Sequence, residues 1–375
     1  MFDRLFVPGE ARAALAGSAW VEAMLQAEQA LARAQAGAGV IPQAAADAIG
    51  ACRADAFDPA AIADAGRSPG NPVEPFVRAL REAVGSDAAE DVHKGATSQD
   101  ILDTAAMLVT RRVLELILAE LDQLAARCAE LAETHRSTPM VGRTLLQQAV
   151  PVSFGLKAAG WLVAVVEARA ALARIEHERL AVQLGGAAGT LAPLGKEAPE
   201  VLRLYAAELG LQEPTLPWHT NRTRIAELGS ALAVAAGVAA KIGLDVGLLS
   251  QNEVGEVAES DPGASSSMPH KRNPVGSVIA VACARQVEAH AGVLTASLLQ
   301  EQERAFGAWH AEWPALVGAL GYTSGAVAGA NRALDGLGVD VERMEANLDE
   351  SGLDPDLGSA ETFVERALAS YRETQ

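Results

Sequence analysis

Apolar residues recur at helical spacing along most of this 375-residue chain, and short polar stretches separate the repeats. Side chains three and four positions apart lie on one face of a helix, so this pattern indicates helices with a buried face. It predicts shorter helices over residues 18–36, 43–53 and 73–84, and then long helices over residues 96–138, 151–183, 223–254, 274–305 and 312–334. A single short helix over residues 360–371 is expected in the C-terminal tail.

The first long helix has the clearest boundaries in the sequence. No Gly or Pro occurs between Ala96 and Thr138. Thr97 or Ser98 can cap its first turn, and a carboxylate at Asp100 suits the positive end of the helix dipole. At a rise of 1.5 Å per residue, such a helix is about 55–60 Å long.

Five helices of this length predict an all-α fold built on an elongated long-helix bundle. Their apolar faces are rich in Ala and Gly on more than one side, which predicts burial against other subunits as well as within the chain. We expect three regions along the sequence. These are a small N-terminal helical domain (residues 1–95), a central five-helix bundle domain (residues 96–340) and a reduced C-terminal helical domain (residues 341–375).

Composition and charge narrow the class of partner. Hydrophobic residues make up 50% of the chain and aromatic residues only 4%. The core is therefore filled mainly by Ala, Leu and Val, which allow helices to approach closely. The formal net charge is −18, and an acidic surface repels nucleic-acid phosphates and anionic membranes. We therefore expect neither nucleic acid nor a membrane as a partner, and an anionic substrate needs a local basic pocket.

The cysteines and the N-terminal segment predict a cytoplasmic protein. Cys52, Cys128 and Cys283 are far apart and show neither metal-ligand nor redox spacing. This is typical of free thiols in a reducing compartment. The first ten residues lack the basic and apolar runs of a signal peptide. The apolar run over residues 231–249 contains two charged residues, which favours a buried helix over a membrane span.

Two polar stretches in the first half of the chain carry groups suited to binding an anion. DVHKGATSQD (residues 91–100) places His93, Lys94 and two hydroxyl groups before a helix start, where backbone N–H groups favour anions. VGRTLLQQAVPVSFGLK (residues 141–157) brings two amides, an Arg and a Lys to the predicted start of the second long helix, with a proline in its first turn. For the first stretch, the alternative is an ordinary helix cap beside a surface lysine. For the second, it is a polar turn that leads into a helix.

Two further stretches in the second half of the chain are also cationic. LPWHTNRTRIAE (residues 216–227) places two Arg in the first turn of a predicted helix, where a bound anion would compensate their unfavourable interaction with the helix dipole. ESDPGASSSMPHKRNPVGSV (residues 259–278) is rich in Gly, Ser, Pro and cations, which favours a mobile loop that closes over an anionic substrate. A solvated charge cluster and a solvated linker are the respective alternatives.

Taken together, these stretches resemble signature regions of the fumarase/aspartase superfamily. HKGATSQD is similar to the first region, GRTLLQQAVPVSFG to the second, and GASSSMPHKRNP to the flexible signature loop. The resemblance covers nearly the whole chain, and a chance match to all three regions in this order is very improbable. Within the superfamily, GRTLLQQAVPVSFGLK, VQLGGAAGT and PWHTNR look more like the bacterial 3-carboxy-cis,cis-muconate cycloisomerases than like the lyases.

The resemblance implies addition to, or elimination across, a carbon–carbon bond beside a carboxylate. The expected reaction closes 3-carboxy-cis,cis-muconate to 4-carboxymuconolactone, in the protocatechuate branch of the β-ketoadipate pathway, without cofactor or metal. A fumarate-releasing lyase, for example of the adenylosuccinate lyase type, is the alternative, and a non-catalytic helical scaffold is a third hypothesis. The resemblance also implies a small anionic polycarboxylate as substrate, and a homotetramer with a twenty-helix bundle whose active sites are shared among three subunits.

By position within these regions, the resemblance also implies roles for individual residues. Ser265 corresponds to the catalytic base, and His93 is a second candidate for proton transfer. The residues expected to bind substrate are Thr97, Ser98, Gln147, Arg222, Arg224, Ser266, Lys271 and Asn273.

The chain departs from the family pattern at two positions. Leu145 stands where adenylosuccinate lyases carry a histidine that acts as a general acid, and Gln148 stands where cycloisomerases often carry one. A leucine side chain cannot transfer a proton, which argues against adenylosuccinate lyase activity. His93 or a water molecule is then the candidate acid, while His219 and His270 could be catalytic or structural.

Overall fold

Helices account for most of the molecule in this computed structural model, which describes residues 2–268, 270–354 and 356–374. The helices of the N-terminal part are α1 (Asp3–Phe6), α2 (Gly9–Ala14), α3 (Gly17–Gly37), α4 (Gln43–Gly50), α5 (Pro59–Ala65) and α6 (Val73–Val84). They are followed by α7 (Ser98–Thr134), α8 (Phe154–Glu178), α9 (Ala198–Leu209), α10 (Thr223–Leu249), α11 (Val275–Ala296), α12 (Ala308–Leu334), α13 (Val341–Ser351) and α14 (Ala360–Glu373). The strands form antiparallel pairs, β1 (Pro139–Thr144) with β2 (Gln147–Ser153) and β3 (Val257–Ala258) with β4 (Gly338–Val339).

The long helices α7, α8, α10, α11 and α12 form the central bundle. α10 packs against α8, α11 and α12, while α7 packs against α8 and α12. Small residues bring α11 and α12 close together. A Cβ on Gly276 would lie 2.7 Å from the backbone nitrogen of Ala333, and a Cβ on Gly329 would lie 2.7 Å from that of Ala280. The composition rich in Ala and Gly therefore permits a helix spacing that larger side chains would prevent.

The all-α, long-helix fold predicted from the sequence is confirmed, but the second long helix begins later than expected. Residues 139–153 form the β1–β2 hairpin, and Pro151 lies in β2 instead of in the first turn of α8. The helix begins at Phe154, where the Oγ of Ser153 accepts the backbone N–H of Leu156 at 3.0 Å. The sequence did not show that residues 147–153 form a strand, because the helical pattern of α8 follows them directly.

The C-terminal tail contains two described helices, where the sequence predicted one. The additional helix, α13, begins after Asp340, whose side chain accepts the backbone N–H of Arg343 at 2.9 Å. α14 lies close to the predicted position. It packs against α8 and α7, and its residues Val364 and Leu368 are buried. α9 was not predicted either. The three domain boundaries remain a prediction.

The connections place the four polar stretches at opposite ends of the bundle. α7 and α10 begin at the same end, because Arg222, just before α10, contacts Asp103 in the second turn of α7. We call this end, which includes His93, the His93 end. The β1–β2 hairpin and the loop between α10 and α11 follow the other ends of these helices, at what we call the Ser265 end. The 27 residues of α10 separate the two ends by about 40 Å.

By length and composition alone, α10 could cross a membrane. In the structure, 44% of the most apolar 18-residue window of α10 is buried within the chain. Leu228, Leu232 and Val246 are buried, and the helix contacts α8, α11 and α12. These contacts account for the buried part of its apolar surface, while Val234 and Leu244 are 53% and 51% exposed.

Candidate active site

Thr97 and Ser98 begin α7 at the His93 end. The backbone N–H of Thr97 donates to Oδ2 of Asp100 at 3.0 Å, which closes the first turn of the helix. Thr97 and Ser98 are both partly exposed. Their hydroxyl groups and the first N–H groups of α7 therefore lie at the surface of this end, where an anion is favoured.

Asp100 is fully buried and joins the first polar stretch to the third. Its carboxylate accepts the backbone N–H groups of Gly185 and Gly186, both at 2.9 Å. One of its oxygens also lies 2.6 Å from Nε2 of His219. A Cβ on Gly185 would lie only 2.4 Å from Cε1 of His219, so a glycine is needed at this contact. The pair gives His219 a fixed orientation beside the start of α7.

Arg222 lies at the same end but faces the interior. Its side chain is 1% exposed and is held between Asp103 on α7 and Glu312 on α12. Nη1 and Nη2 donate to the two oxygens of Asp103 at 2.7 and 3.0 Å, and Nε donates to Glu312 at 3.0 Å. Burial alone would lower the pKa of Arg222, but the two carboxylates raise it. This placement supports a structural role for Arg222 in place of the predicted contact with substrate, because its donors are occupied by carboxylates of the chain.

Arg224 is more accessible and stacks on an indole ring. Its guanidinium carbon lies 4.8 Å from the ring centroid of Trp218, on which Arg222 also packs at 4.7 Å. Nη1 of Arg224 donates to the backbone oxygen of Arg179 at 2.5 Å. Burial and the positive charges of Arg179 and Arg222 lower the pKa of Arg224 to about 10. A nearby anion would relieve this repulsion.

His93 occupies the loop immediately before α7. Its backbone is in the left-handed region, with φ at 63°. Nδ1 of the ring lies 2.5 Å from Oε1 of Glu28, a buried carboxylate on α3. The next residue, Lys94, pairs with Asp91 at 2.9 Å. The His93 side chain is 14% exposed, so the ring reaches the surface of the His93 end.

The signature loop closes on itself at the Ser265 end. Gly263 and Asn273 exchange two backbone hydrogen bonds, at 2.8 and 3.2 Å, and the amide nitrogen of the Asn273 side chain donates to the Gly263 carbonyl at 3.2 Å. Inside the loop, Oγ of Ser265 accepts the backbone N–H groups of Met268 at 3.1 Å and Ser267 at 3.4 Å. The loop therefore orients the Ser265 oxygen towards two fixed donors.

The remaining polar groups of this loop are open to solvent. Ser266 and Lys271 are exposed, so a hydroxyl group and a cation project from the loop. The buried carboxylate of Glu259 anchors the end of the loop to α11, where it accepts the backbone N–H groups of Gly276 at 2.9 Å and Ser277 at 2.8 Å. A carboxylate at the start of a helix is favourable for the helix dipole.

Gln147 lies at the exposed tip of the β1–β2 hairpin. Leu145–Leu146 form its two-residue turn, with φ at 51° and 64°, and Leu145 is 96% exposed. The base of the hairpin is anchored by Arg143, which donates to both oxygens of the buried Glu256 at 2.9 and 2.8 Å. Gln147 is therefore presented on an anchored arm at the surface of the Ser265 end.

Within one chain, the structure brings the first and third polar stretches together, but it keeps them away from the other two. His93 and Thr97 lie at one end of the bundle with the segment that contains His219. The hairpin and the signature loop lie at the other end, about 40 Å away along the helices. This distance is much greater than the length of a small polycarboxylate. One chain therefore cannot present Ser265 and His93 to the same substrate molecule.

Sequence reasoning missed the acidic partners at the His93 end. Glu28, Asp103 and Glu312 lie inside helices α3, α7 and α12, and all three are buried. A signal was present for Glu28, because the residues three and four positions away on both sides are apolar. A charged residue on the apolar face of a helix indicates a buried partner. The identity of that partner was not visible in the sequence.

The described residues contain no group of three or more His, Cys, Asp or Glu side chains placed to hold a metal ion. Cys52, Cys128 and Cys283 are free thiols. Burial raises the pKa of Cys283 to about 12 and also raises that of Cys128. These thiols are therefore poor nucleophiles at neutral pH.

Comparison with known proteins adds the family context. A family model described as a lyase matches residues 10–288. The nitrosuccinate lyase of Streptomyces davaonensis is 50% identical over 355 residues, which cover 91% of this chain and 75% of that protein. The 3-carboxy-cis,cis-muconate cycloisomerase of Bradyrhizobium diazoefficiens is 47% identical over 345 residues, which cover 90% of this chain and 76% of that protein.

A solved structure with the same architecture is the crystal structure of the 3-carboxy-cis,cis-muconate lactonizing enzyme from Pseudomonas putida. It superposes with a TM-score of 0.94 at 36% sequence identity, and the match covers 100% of this chain and 99% of that chain. The likeness therefore includes both ends of the bundle, with the hairpin and the signature loop as well as the start of α7.

Proposed function

Because this chain belongs to the lyase family of the fumarase/aspartase superfamily and is a lyase-type enzyme, we propose that it converts 3-carboxy-cis,cis-muconate to 4-carboxymuconolactone. The family resemblance inferred from the polar stretches is confirmed by the same comparisons. Support for the specific reaction comes from the cycloisomerase of B. diazoefficiens and from the P. putida lactonizing enzyme, which are named for this chemistry.

The observation that carries the proposal is the setting of the Ser265 hydroxyl. The backbone N–H groups of Ser267 and Met268 both point at its oxygen. Hydrogen bonds to an oxygen stabilise its anionic form. They therefore lower the free energy needed to form the alkoxide of Ser265, whose neutral hydroxyl is a weak base. Lys271 carries an exposed cation in the same loop.

In the lactone-forming direction, one carboxylate oxygen of the substrate bonds to a doubly bonded carbon. The π electrons then move to the neighbouring carbon and into the carboxylate attached to it, which becomes an aci-carboxylate that fixed donors and cations stabilise. That carbon takes the proton of the Ser265 hydroxyl, and Ser265 regains a proton from water. We assign the binding of the substrate carboxylates to Lys271, Arg224 and the hydroxyl groups of Thr97 and Ser98.

This reaction is compatible with the absence of a histidine at the hairpin tip. The attacking carboxylate is already ionised at neutral pH, so no group has to exchange a proton with its oxygen. An elimination of the adenylosuccinate lyase type would need a proton for the leaving amine. Leu145 cannot supply that proton. A leucine at this position therefore favours a substrate whose reacting oxygen is a weak base and needs no proton.

We further propose that the active site forms between copies of the chain. Ser265 and His93 lie about 40 Å apart along the bundle, and the hairpin tip exposes Leu145 and Leu146, at 96% and 73%. Exposed apolar side chains of this size are typical of a contact surface. A homotetramer, which the family resemblance implies, would place the His93 end of one copy beside the signature loop of another.

A second candidate reaction is an elimination from nitrosuccinate. The S. davaonensis relative is named for this lyase activity, and half of its aligned residues are identical to those of this chain. Ser265 would remove a proton beside a carboxylate of nitrosuccinate, and the nitro group would leave as nitrite, which yields fumarate. Nitrite is a weak base and leaves without a proton. Leu145 is therefore compatible with this reaction as well.

Turnover of two substrates in parallel separates these reactions. With 3-carboxy-cis,cis-muconate, we expect loss of its ultraviolet absorbance and formation of the lactone, identified by NMR. With nitrosuccinate, release of nitrite and fumarate would favour the second candidate. Ser265→Ala should lower kcat at least about 100-fold for whichever substrate is used, with helix content unchanged by circular dichroism.

Ser267→Ala is the matched control for this experiment. It changes another serine of the same loop, and only the backbone N–H of Ser267 contacts Ser265. We expect this variant to retain most of its turnover. Near-normal turnover of Ser265→Ala would show that Ser265 is not the base, and the proposal would fail if the protein converted neither substrate.

A further inference from the structure

The carboxylate of Glu28 faces the His93 end from α3, and the proposed reaction assigns it no role. The side chain is 1% exposed, and its Oε1 lies 2.5 Å from Nδ1 of His93. Hydrogen bonds between a carboxylate and a protonated imidazole are shorter than neutral ones, so this close contact favours a charge-assisted pair. Burying a carboxylate is costly unless it is paired, so the location of Glu28 depends on His93.

The backbone at His93 lies in the left-handed region, which residues other than glycine seldom adopt. His93 and Gly95 both have positive φ, at 63° and 71°, and a Cβ on Gly95 would lie 2.7 Å from Leu194. The segment is fixed from outside by Gln35, whose amide donates to the carbonyl of Lys94 at 2.6 Å. Strained residues that neighbouring groups hold in place are common at functional sites. The fold therefore holds the His93 ring in one defined position.

The second nitrogen of the ring is available to a ligand. Glu28 occupies Nδ1, and no group within the described residues is bonded to Nε2. The side chain is 14% exposed, and it lies next to the start of α7, where Thr97 and Ser98 present their hydroxyl groups. A ligand bound at this helix start would therefore lie beside Nε2.

We infer that Glu28 is a positioning residue for His93, and that it holds the ring as an imidazolium whose Nε2–H donates to a carboxylate oxygen of the substrate. The inference rests on the proposed function, because it assigns His93 to the binding of the same anionic substrate. His93 then contributes a fixed positive donor where charge accumulates in the aci-carboxylate. No proton has to leave His93 in this role.

The charges around His93 agree with this role. Burial by itself lowers the pKa of His93, whereas Glu28 on α3 and Asp100 on α7 raise it. Arg81 on α6 opposes them, and the pKa of His93 is raised overall. The imidazolium is present below this raised pKa and is lost as the pH rises through it. Activity that depends on the imidazolium should therefore decline on the alkaline side.

Glu28→Gln tests the inference because it keeps the size and an acceptor oxygen but removes the charge. We expect kcat at pH 8 to fall by about 10–100-fold, and the alkaline decline of activity to move at least about one pH unit lower. Glu28→Asp should recover part of the loss. The matched control is Glu120→Gln, which changes a hydrogen-bonded glutamate in the middle of α7 that accepts from Asn331 at 2.7 Å and should leave the pH profile unchanged.

A double variant shows whether Glu28 acts through His93. If it does, combining Glu28→Gln with His93→Gln should give a kcat within about twofold of His93→Gln alone, because the two changes remove one function. Two independent, multiplicative losses would overturn the inference. So would a loss of thermal stability in Glu28→Gln without a shift of the pH profile, since that result would show a structural role only.

Titration of His93 by NMR in the free protein separates this inference from the proposed function. The His93 signal is identified by its absence in His93→Gln, and its midpoint should be lower in Glu28→Gln than in the wild type. If the protein turns over neither substrate but the midpoint moves, only the proposed reaction fails. If the midpoint does not move, the role of Glu28 is wrong whatever the substrate.

Discussion

Arg222 connects three helices through a single buried guanidinium. Asp103 on α7 and Glu312 on α12 bind it from two sides, and Trp309 and Gln99 donate to the same Asp103 carboxylate. Burial raises the pKa of Glu312, and Arg222 opposes this effect. Removing one member of a buried ion pair leaves an uncompensated charge, which costs more free energy than the intact pair contributes.

Arg222→Met should lower the free energy of unfolding at pH 7.5 by about 3–5 kcal/mol, measured by urea denaturation. The difference in unfolding free energy between this variant and the wild type should shrink as the pH falls. Glu312 is protonated at its raised pKa, which removes the negative charge that Arg222→Met leaves unpaired. The control Arg203→Met breaks an ion pair with Glu200 in which both side chains are about half exposed, and it should change the free energy of unfolding far less, because solvent screens exposed pairs. Equal losses in the two variants would contradict the structural role of Arg222.

The β1–β2 hairpin shows how one element depends on a single small residue. The strand register shifts at Gly142, between the pairs on either side of it. A Cβ at this position would lie 2.3 Å from the backbone oxygen of Val150 on the opposite strand. A side chain would therefore push the strands apart and change the direction of the arm that carries Gln147.

Gly142→Ala should lower kcat/KM by about 10–100-fold, because a small displacement of a positioning group has an effect of this size. Helix content by circular dichroism should stay the same, since the hairpin lies outside the bundle. Gly50→Ala is the control, because no atom lies within 4 Å of the added Cβ, and it should keep normal activity. Normal activity in both variants would show that the hairpin does not position a group of the active site.

At the scale of the whole molecule, the two ends of the bundle carry complementary parts of the proposed site. The His93 end carries hydroxyl groups and a helix start, and the Ser265 end carries the candidate base, a cation and the hairpin arm. A separation of about 40 Å means that one chain presents two half-sites. Two copies in opposite orientation can complete each other's half-sites, which is the usual consequence of a symmetric interface.

Mixing two impaired variants tests this arrangement. Co-expressed His93→Gln and Ser265→Ala chains should recover roughly a quarter of the normal activity, because some sites then combine an intact half from each chain. In the control mixture, Ser265→Ala and Lys271→Ala chains each carry a change in the same loop. No site can then contain an intact loop, so this mixture should recover no activity. If the first mixture assembles, as judged by its size in solution, but stays inactive, the site is not shared between copies.

Part of the fold and of the candidate site could be predicted from local pattern. The helix predicted over residues 73–84 matches α6, and Thr97 lies at the predicted start of α7. The hairpin was missed because Pro151 suits the first turn of a helix as well as a strand at the edge of a sheet. Arg222 was predicted to bind substrate from its position at a helix start. Its buried partners lie in distant helices, so the sequence did not show them.

The sequence by itself determined the long-helix fold and the chemical character of the four polar stretches. Helical periodicity and the preference of helix starts for anions depend on residues only a few positions apart, so both are visible in the chain. Only the tertiary structure decided which of these residues meet. His93 contacts Glu28 across 65 positions and Asp100 contacts His219 across 119, whereas Ser265 stays at the far end. Contacts at such separations come from the packing of helices against each other, which leaves no local pattern to read.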